Sequence, residues 1–126
     1  MPLIRISMKK GTTAEYRKAI MDGIYEAMRE AFNVPQDDRF MLLHQHDDDE
    51  FDCDPSYLDV HRTGNLVIIQ ITANNTRGVE QKKALYAAIV ARLAVNPGIR
   101  PEDVFINLVE VQKENWSFGL GLAQYA

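Results

Sequence analysis

Directly behind the initiator methionine of MPLIRISM stands Pro2, and loss of Met1 would turn its amide nitrogen into a free secondary amine. Such an amine titrates at about 7.7 to 8 when unperturbed, close to the working pH of a general acid or base. Apolar surroundings lower that value and carboxylates raise it, so one nitrogen can serve in either role. A secondary amine can also attack a carbonyl to form an iminium. The plain alternative is a proline that merely starts a strand, where its missing N–H costs nothing. Arg77 lies between an apolar run and a helix start, a place where a guanidinium and free backbone N–H groups can hold a small anion; the alternative is an exposed loop arginine. Asp38 falls between a helix and a strand, as a carboxylate with chemistry to do or as a turn residue. His44 and His46 share one face of a strand, with Asp47, Asp48, Asp49, Glu50 and Cys53 downstream. That grouping superficially resembles a metal cluster, but its spacing fits no zinc or calcium signature, so no metal is expected. Ser117 lacks the G-x-S-x-G frame of a nucleophile elbow. Gly119 and Gly121 lack the strand-then-helix context of a dinucleotide loop, and no cofactor is expected.

Elements must bring these residues together. Leu3, Ile4, Arg5 and Ile6 alternate as a strand. Thr12 and Glu15 form the capping-box pattern of a helix, and Tyr16, Ile20, Ile24, Met28 and Ala31 recur on one stripe, so an amphipathic helix of about five turns covers a sheet face and stops at Asn33. Residues 39–46 are expected as a second strand and the acidic residues 47–64 as a long surface loop or arm. The β-branched run 65–73, NLVIIQITA, is a strand suited to burial on both faces. A second helix spans 79–95, with Leu85, Ile89 and Leu93 on one stripe and Asn96-Pro97-Gly98 as its stop. Residues 100–103 form a short helical turn, and 104–111 a last strand before an aromatic, glycine-bearing tail. The order, strand-helix-strand twice over, predicts an α+β fold of duplicated β-α-β units: a two-layer arrangement with both long helices on one sheet face. The other face needs cover, for which a second subunit is the expected source.

The 126 residues suit a single domain, 1–126. Apolar residues make up 46% and charged residues 25%, the balance of a globular protein. No apolar run approaches the roughly 20 residues that span a bilayer, and no leader precedes the first strand. A single cysteine, Cys53, forms no internal disulfide. The expected location is therefore the cytoplasm. A net charge of −4 argues against a nucleic-acid partner.

Several pieces belong to one pattern: MPLIRI, AFNVPQDDRF at 31–40, Gln45-His46, TRGVEQKK at 76–83, GIRPEDV at 98–104, and Leu108-Val109-Glu110 with NWSFG at 115–119. In this collinear order the sequence resembles the tautomerase superfamily, and within it malonate semialdehyde decarboxylase and its relatives. The resemblance implies a homotrimer in which an amino-terminal proline, here Pro2, works at the base of a pocket. It gives Asp38 the role of the family's aspartate, and Arg77 that of one of two arginines that bind and polarise a substrate carboxylate and carbonyl. Asn75 stands where the family's other arginine stands, and an amide does not replace a guanidinium's charge. Arg39, His61 and Arg62 are the residues from which compensating charge can be sought. Trp116 and Phe118 resemble the family's apolar pocket wall. The implied function is a cofactor-free enzyme using Pro2 on a 2-oxo acid, enol or β-carbonyl carboxylate, as a tautomerase or as a decarboxylase or hydratase. The alternative is a trimeric binding or scaffold protein without turnover, if Met1 is retained.

Overall fold

The computed structural model describes residues 2–126; the state of Met1 lies outside them. Alternation along β1 (Leu3–Lys9) sends Ile4, Ile6 and Met8 into the core. The strand pairs in parallel with β2 (Met41–His46), reached through α1 (Ala14–Phe32). Likewise β3 (Val67–Asn74) runs parallel to β4 (Val104–Val111), reached through α2 (Val79–Val95). The two units join where β1 and β3 pair antiparallel, giving the strand order β2-β1-β3-β4. This is the duplicated β-α-β architecture that the element order predicts. Crossovers of this length let each helix return over the sheet.

Both helices cover the same face. Ile20, Ile24, Ala27, Met28 and Phe32 of α1, with Leu85, Ile89 and Leu93 of α2, are buried against Ile4, Ile6, Val67, Ile69 and Ile71. Burial of each such side chain is worth about 1.5–3 kcal/mol before the entropy of ordering it is charged. The helices approach closely at Gly23, where a Cβ would lie 3.0 Å from Leu93 Cδ2.

The ends of α1 separate local rules from outcome. Asn33 stops the helix in the left-handed conformation (φ 54°), as its sequence suggests. The cap, however, is Thr13 and not Thr12: the Thr13 hydroxyl accepts the Tyr16 N–H at 3.1 Å. Thr12 turns its carbonyl and hydroxyl to the Arg17 guanidinium instead. Strand β2 begins at Met41, two residues later than expected, because Arg39 reaches back to Asp22 and stacks on Tyr25, both on α1.

One sheet face stays open within the chain. Val67, Ile69, Ile71 and Ala73 of β3 are buried, whereas Ile68, Gln70 and Thr72 point the other way and are only partly covered. The expectation that this strand is buried on both faces is thus not met by one chain. Leu42 (45% exposed), Phe105 (44%) and Val109 (38%) share that open face.

The acidic segment is a surface arm held by its own polar groups. Asp47 and Glu50 cap a 3₁₀ turn (Asp48–Glu50), a second turn covers Tyr57–Asp59, and the Arg62 guanidinium donates to the Tyr57 and Val60 carbonyls at 3.1 Å. The arm is tied to the sheet by Asp103, which is 1% exposed and accepts from the Thr63 N–H at 2.7 Å and the Thr63 hydroxyl at 2.6 Å.

Candidate active site

Strand register decides which loops meet. Ile4 lies beside Met41, Leu3 beside Thr72, and Asn74 beside Val111. Hence the start of β1, the residues before β2, those after β3 and those after β4 converge on one end of the sheet. Pro2, Asp38, Arg77 and Trp116 belong to these four places.

Pro2 is buried at the head of β1. Asp38 sits in the connection from α1 to β2, which three contacts fix. Val34 is buried in the core, and Asp37 adopts the left-handed conformation (φ 69°) with its N–H donating to the Tyr25 hydroxyl at 3.1 Å. The Arg39 guanidinium lies 4.8 Å from the Tyr25 ring centre. Between these anchors the Asp38 carboxyl turns inward, with Oδ1 shielded from solvent. Burial pushes its pKa up, and the positive charge of Arg77 pulls the other way.

Arg77 immediately precedes Gly78, the cap of α2. Its Nη2 donates to the Phe32 carbonyl at 2.8 Å, and its guanidinium lies 4.6 Å from the Phe32 ring centre. The last carbonyls of α1 have no intrahelical donor and carry the negative end of the helix dipole, so a cation suits this place. Gln81 serves the same helix end by donating to the Ala31 carbonyl at 3.1 Å. Burial lowers the Arg77 pKa and the Asp38 carboxylate raises it.

Beside Arg77 opens a pocket of about 630 Å³, lined by Asn74, Thr76, Arg77, Lys113, Gln124 and Tyr125. Tyr125 is the one aromatic residue in this lining; Trp116 and Phe118, expected as its wall, do not line it but brace the residues that do. The Trp116 indole N–H donates to Asn74 Oδ1 at 2.7 Å, and Trp116 stacks on Phe118 with ring centres 5.5 Å apart. Phe118 meets Tyr125 edge-on at 4.9 Å. Gln124 closes the tail by accepting the Phe118 N–H and donating to the Gly119 carbonyl, both at 3.0 Å.

Asn75 is exposed and uses its backbone N–H on the Val111 carbonyl at 3.0 Å; its side chain is outside the pocket lining. Of the three residues that might have supplied charge, Arg39 is held by Asp22 and Tyr25, Arg62 by the arm's carbonyls, and His61 lies beside Asp59 on the surface. The residues that sequence reasoning missed are Asn74, Lys113, Gln124, Tyr125 and the loop anchor Tyr25. Asn74 carried a signal, a polar residue ending a buried β-branched strand. The two tail residues carried none, since folding back onto Phe118 is a long-range event. The histidines part company: His44 lies 3.3 Å from the Arg5 guanidinium and His46 packs on Phe51. The Asp47, Asp49 and Glu50 carboxylates come within 4.8 Å of one another but are exposed, and Asp47 pairs with Lys10 at 3.0 Å. Among the described residues no helix is long and apolar enough to cross a membrane.

Comparison with known proteins gives a consistent result. Residues 38–119 match one family model described as a tautomerase enzyme, and residues 2–58 match a second so described. YusQ of Bacillus subtilis (strain 168), named a probable tautomerase, is 43% identical over 124 residues, covering 98% of each chain. YrdN of the same organism, named likewise, is 34% identical over 99% of this chain and 96% of its own. Among solved structures, a malonate semialdehyde decarboxylase presented as a basis for decarboxylase and hydratase activities is 32% identical. It superposes with a TM-score of 0.92 over 98% of this chain and 95% of that one. A second malonate semialdehyde decarboxylase, inhibited by 3-bromopropiolate, is 36% identical with a TM-score of 0.91, over 98% and 93%.

Proposed function

Because this chain belongs to the tautomerase family, we propose that it is a small-molecule enzyme whose general acid or base is the amine of Pro2, freed by removal of Met1, acting on a 2-oxo acid, an enol or a β-carbonyl carboxylate. The observation that carries this reading is the convergence of Pro2, Asp38 and Arg77 at one end of the sheet, where Arg77 lines a pocket. No cofactor is required by the chemistry.

In tautomerisation the neutral Pro2 amine takes the enol hydroxyl proton, the C=C electron pair accepts a proton at carbon, and the product is the oxo acid with no net change of atoms. Arg77 anchors the carboxylate and stabilises negative charge as it develops on oxygen. In decarboxylation a cationic Pro2 polarises the β-carbonyl. The carbon–carbon bond to the carboxylate breaks, carbon dioxide leaves, and the electron pair it leaves behind is held as an enolate until protonated at carbon. Asp38 orients the ammonium in that case, and in hydration it takes the proton of the attacking water. The two Bacillus relatives support the first reaction, and the two decarboxylase structures the second. The open sheet face supports a homotrimer, working in the cytoplasm.

Intact-mass measurement tests the premise, with Met1 absent as the expected result. Turnover of phenylenolpyruvate and malonate semialdehyde should then fall at least about a hundredfold in Pro2→Ala. Equal rates in both proteins would remove the amine from the mechanism. Essentially complete retention of Met1 would leave Pro2 an amide and turn the reading to a trimeric binding or scaffold protein.

A further inference from the structure

We propose that Lys113 is the second cation of the Arg77 pocket, and that the two together select a substrate with two anionic ends, a short-chain dicarboxylate carrying the reactive oxo or enol group. The inference rests on the reading of this pocket as the carboxylate-binding site.

Arg77 alone makes a weak anion trap. One of its nitrogens is committed to the Phe32 carbonyl, and the Asp38 carboxylate acts on its charge. Asn75, exposed and uncharged, adds none, and Arg39, His61 and Arg62 are engaged elsewhere.

Lys113 lines the same pocket of about 630 Å³, a size usual for small-molecule sites. Its backbone is held relative to Arg77 rather than free to wander. Val111 pairs with Asn74 and accepts the Asn75 N–H at 3.0 Å, the Asn115 N–H donates to the Gln112 carbonyl at 2.9 Å, and Trp116 is fastened to Asn74. Lys113 lies inside this brace, at the start of a tight turn (Lys113–Asn115). Its ammonium is also uncommitted: among the described residues it stands in no ion pair. The nearest strand carboxylate, Glu110, is taken by Lys82 at 2.8 Å. A lysine is a flexible point charge, so it suits the distal carboxylate of a substrate whose reacting end is fixed by Arg77. Gln124 and Tyr125 add polar groups to the same lining.

The protein's single tryptophan, Trp116, is hydrogen-bonded to the pocket-lining Asn74 and reports occupancy by fluorescence. The probes are 2-oxoglutarate and 2-oxopentanoate, equal in chain length and differing by one carboxylate. Titration at low ionic strength should show the diacid bound more tightly by wild type, roughly fivefold for one partly exposed charge pair. The ratio should collapse to near one in Lys113→Gln and persist in Lys113→Arg. A ratio unchanged in Lys113→Gln overturns the proposal, as does a wild type without preference. The catalytic reading fails separately: if Pro2→Ala turns over as fast as wild type while the Lys113-dependent preference stands, the amine mechanism is lost and the dicarboxylate site remains.

Discussion

At the scale of single residues, Asp38 is where burial and charge compete. Burial holds its pKa above the ordinary carboxylate value despite the pull of Arg77. A carboxyl raised in this way contributes stability that is fully present below its unfolded pKa and is lost as pH rises through its folded pKa. As pH rises through that folded pKa the shielded carboxyl must ionise, and the folded protein loses this stability. Asp38→Asn removes that charge. Its Tm relative to wild type should rise slightly at about pH 7, and the gain should vanish near about pH 3, where wild type is itself protonated. Turnover should move the other way, with a fall of at least about tenfold if Asp38 orients Pro2 as proposed. Thermal denaturation at the two pH values together with steady-state rates reads both. A stability change of the same size at each pH would show that the ionised carboxylate is not what the fold resists. The neighbouring pair Asn74 and Asn75 makes a related point about side-chain direction. The family pattern draws attention to Asn75, yet it is Asn74, the last residue of β3, that is buried and holds Trp116.

At the scale of elements, the acidic arm shows what local rules cover and what they miss. Its charges, Pro55 and Gly64 read correctly as a surface segment, but nothing local announces that Asp103, in the turn before β4, is its tether. Asp103 is 1% exposed, accepts two hydrogen bonds from Thr63, and lies 3.7 Å from the Arg100 guanidinium. Asp103→Ala leaves those donors to find water and should cost about 2 kcal/mol, a drop in Tm of about 5–10 °C. An unchanged Tm would mean that the arm is held by its turns alone. The same division runs through the fold. Helix α2 and strand β4 begin and end where periodicity places them, because an apolar stripe bounded by Asn96-Pro97-Gly98 or by a helical turn is a local signal. The start of α1 slips from Thr12 to Thr13 because both threonines suit a cap and Arg17 decides between them. Likewise Tyr25 gives no sign in the helix sequence that its hydroxyl holds the Asp37 backbone, since that contact exists only once α1 and the following loop are packed.

At the scale of the whole molecule, one face of the sheet is unfinished. Leu42, Phe105 and Val109 surround a polar centre on that face. The Gln70 side chain donates to Asn107 Oδ1 at 3.2 Å, and Arg5 lies 3.3 Å from His44 Nε2. Covering the face removes large apolar side chains from water. At the end of the chain Leu120 is 93% exposed and Leu122 57%. On the proposed homotrimer reading the open face is an interface between chains. Phe105→Asp places a charge directly beside Ile68 on that face, near the start of the edge strand β4 and far from Arg77 and Lys113 along the strands. Within an isolated chain the change is tolerated, since Phe105 is already 44% exposed. In an assembled one it puts an unpaired carboxylate into each interface. Sedimentation should give three chains for wild type and one for Phe105→Asp at micromolar concentration, with unchanged secondary structure by circular dichroism. Turnover should fall with assembly. A wild type that sediments as a single chain ends the trimer reading, and a monomeric Phe105→Asp with full activity would show that each chain completes its own site.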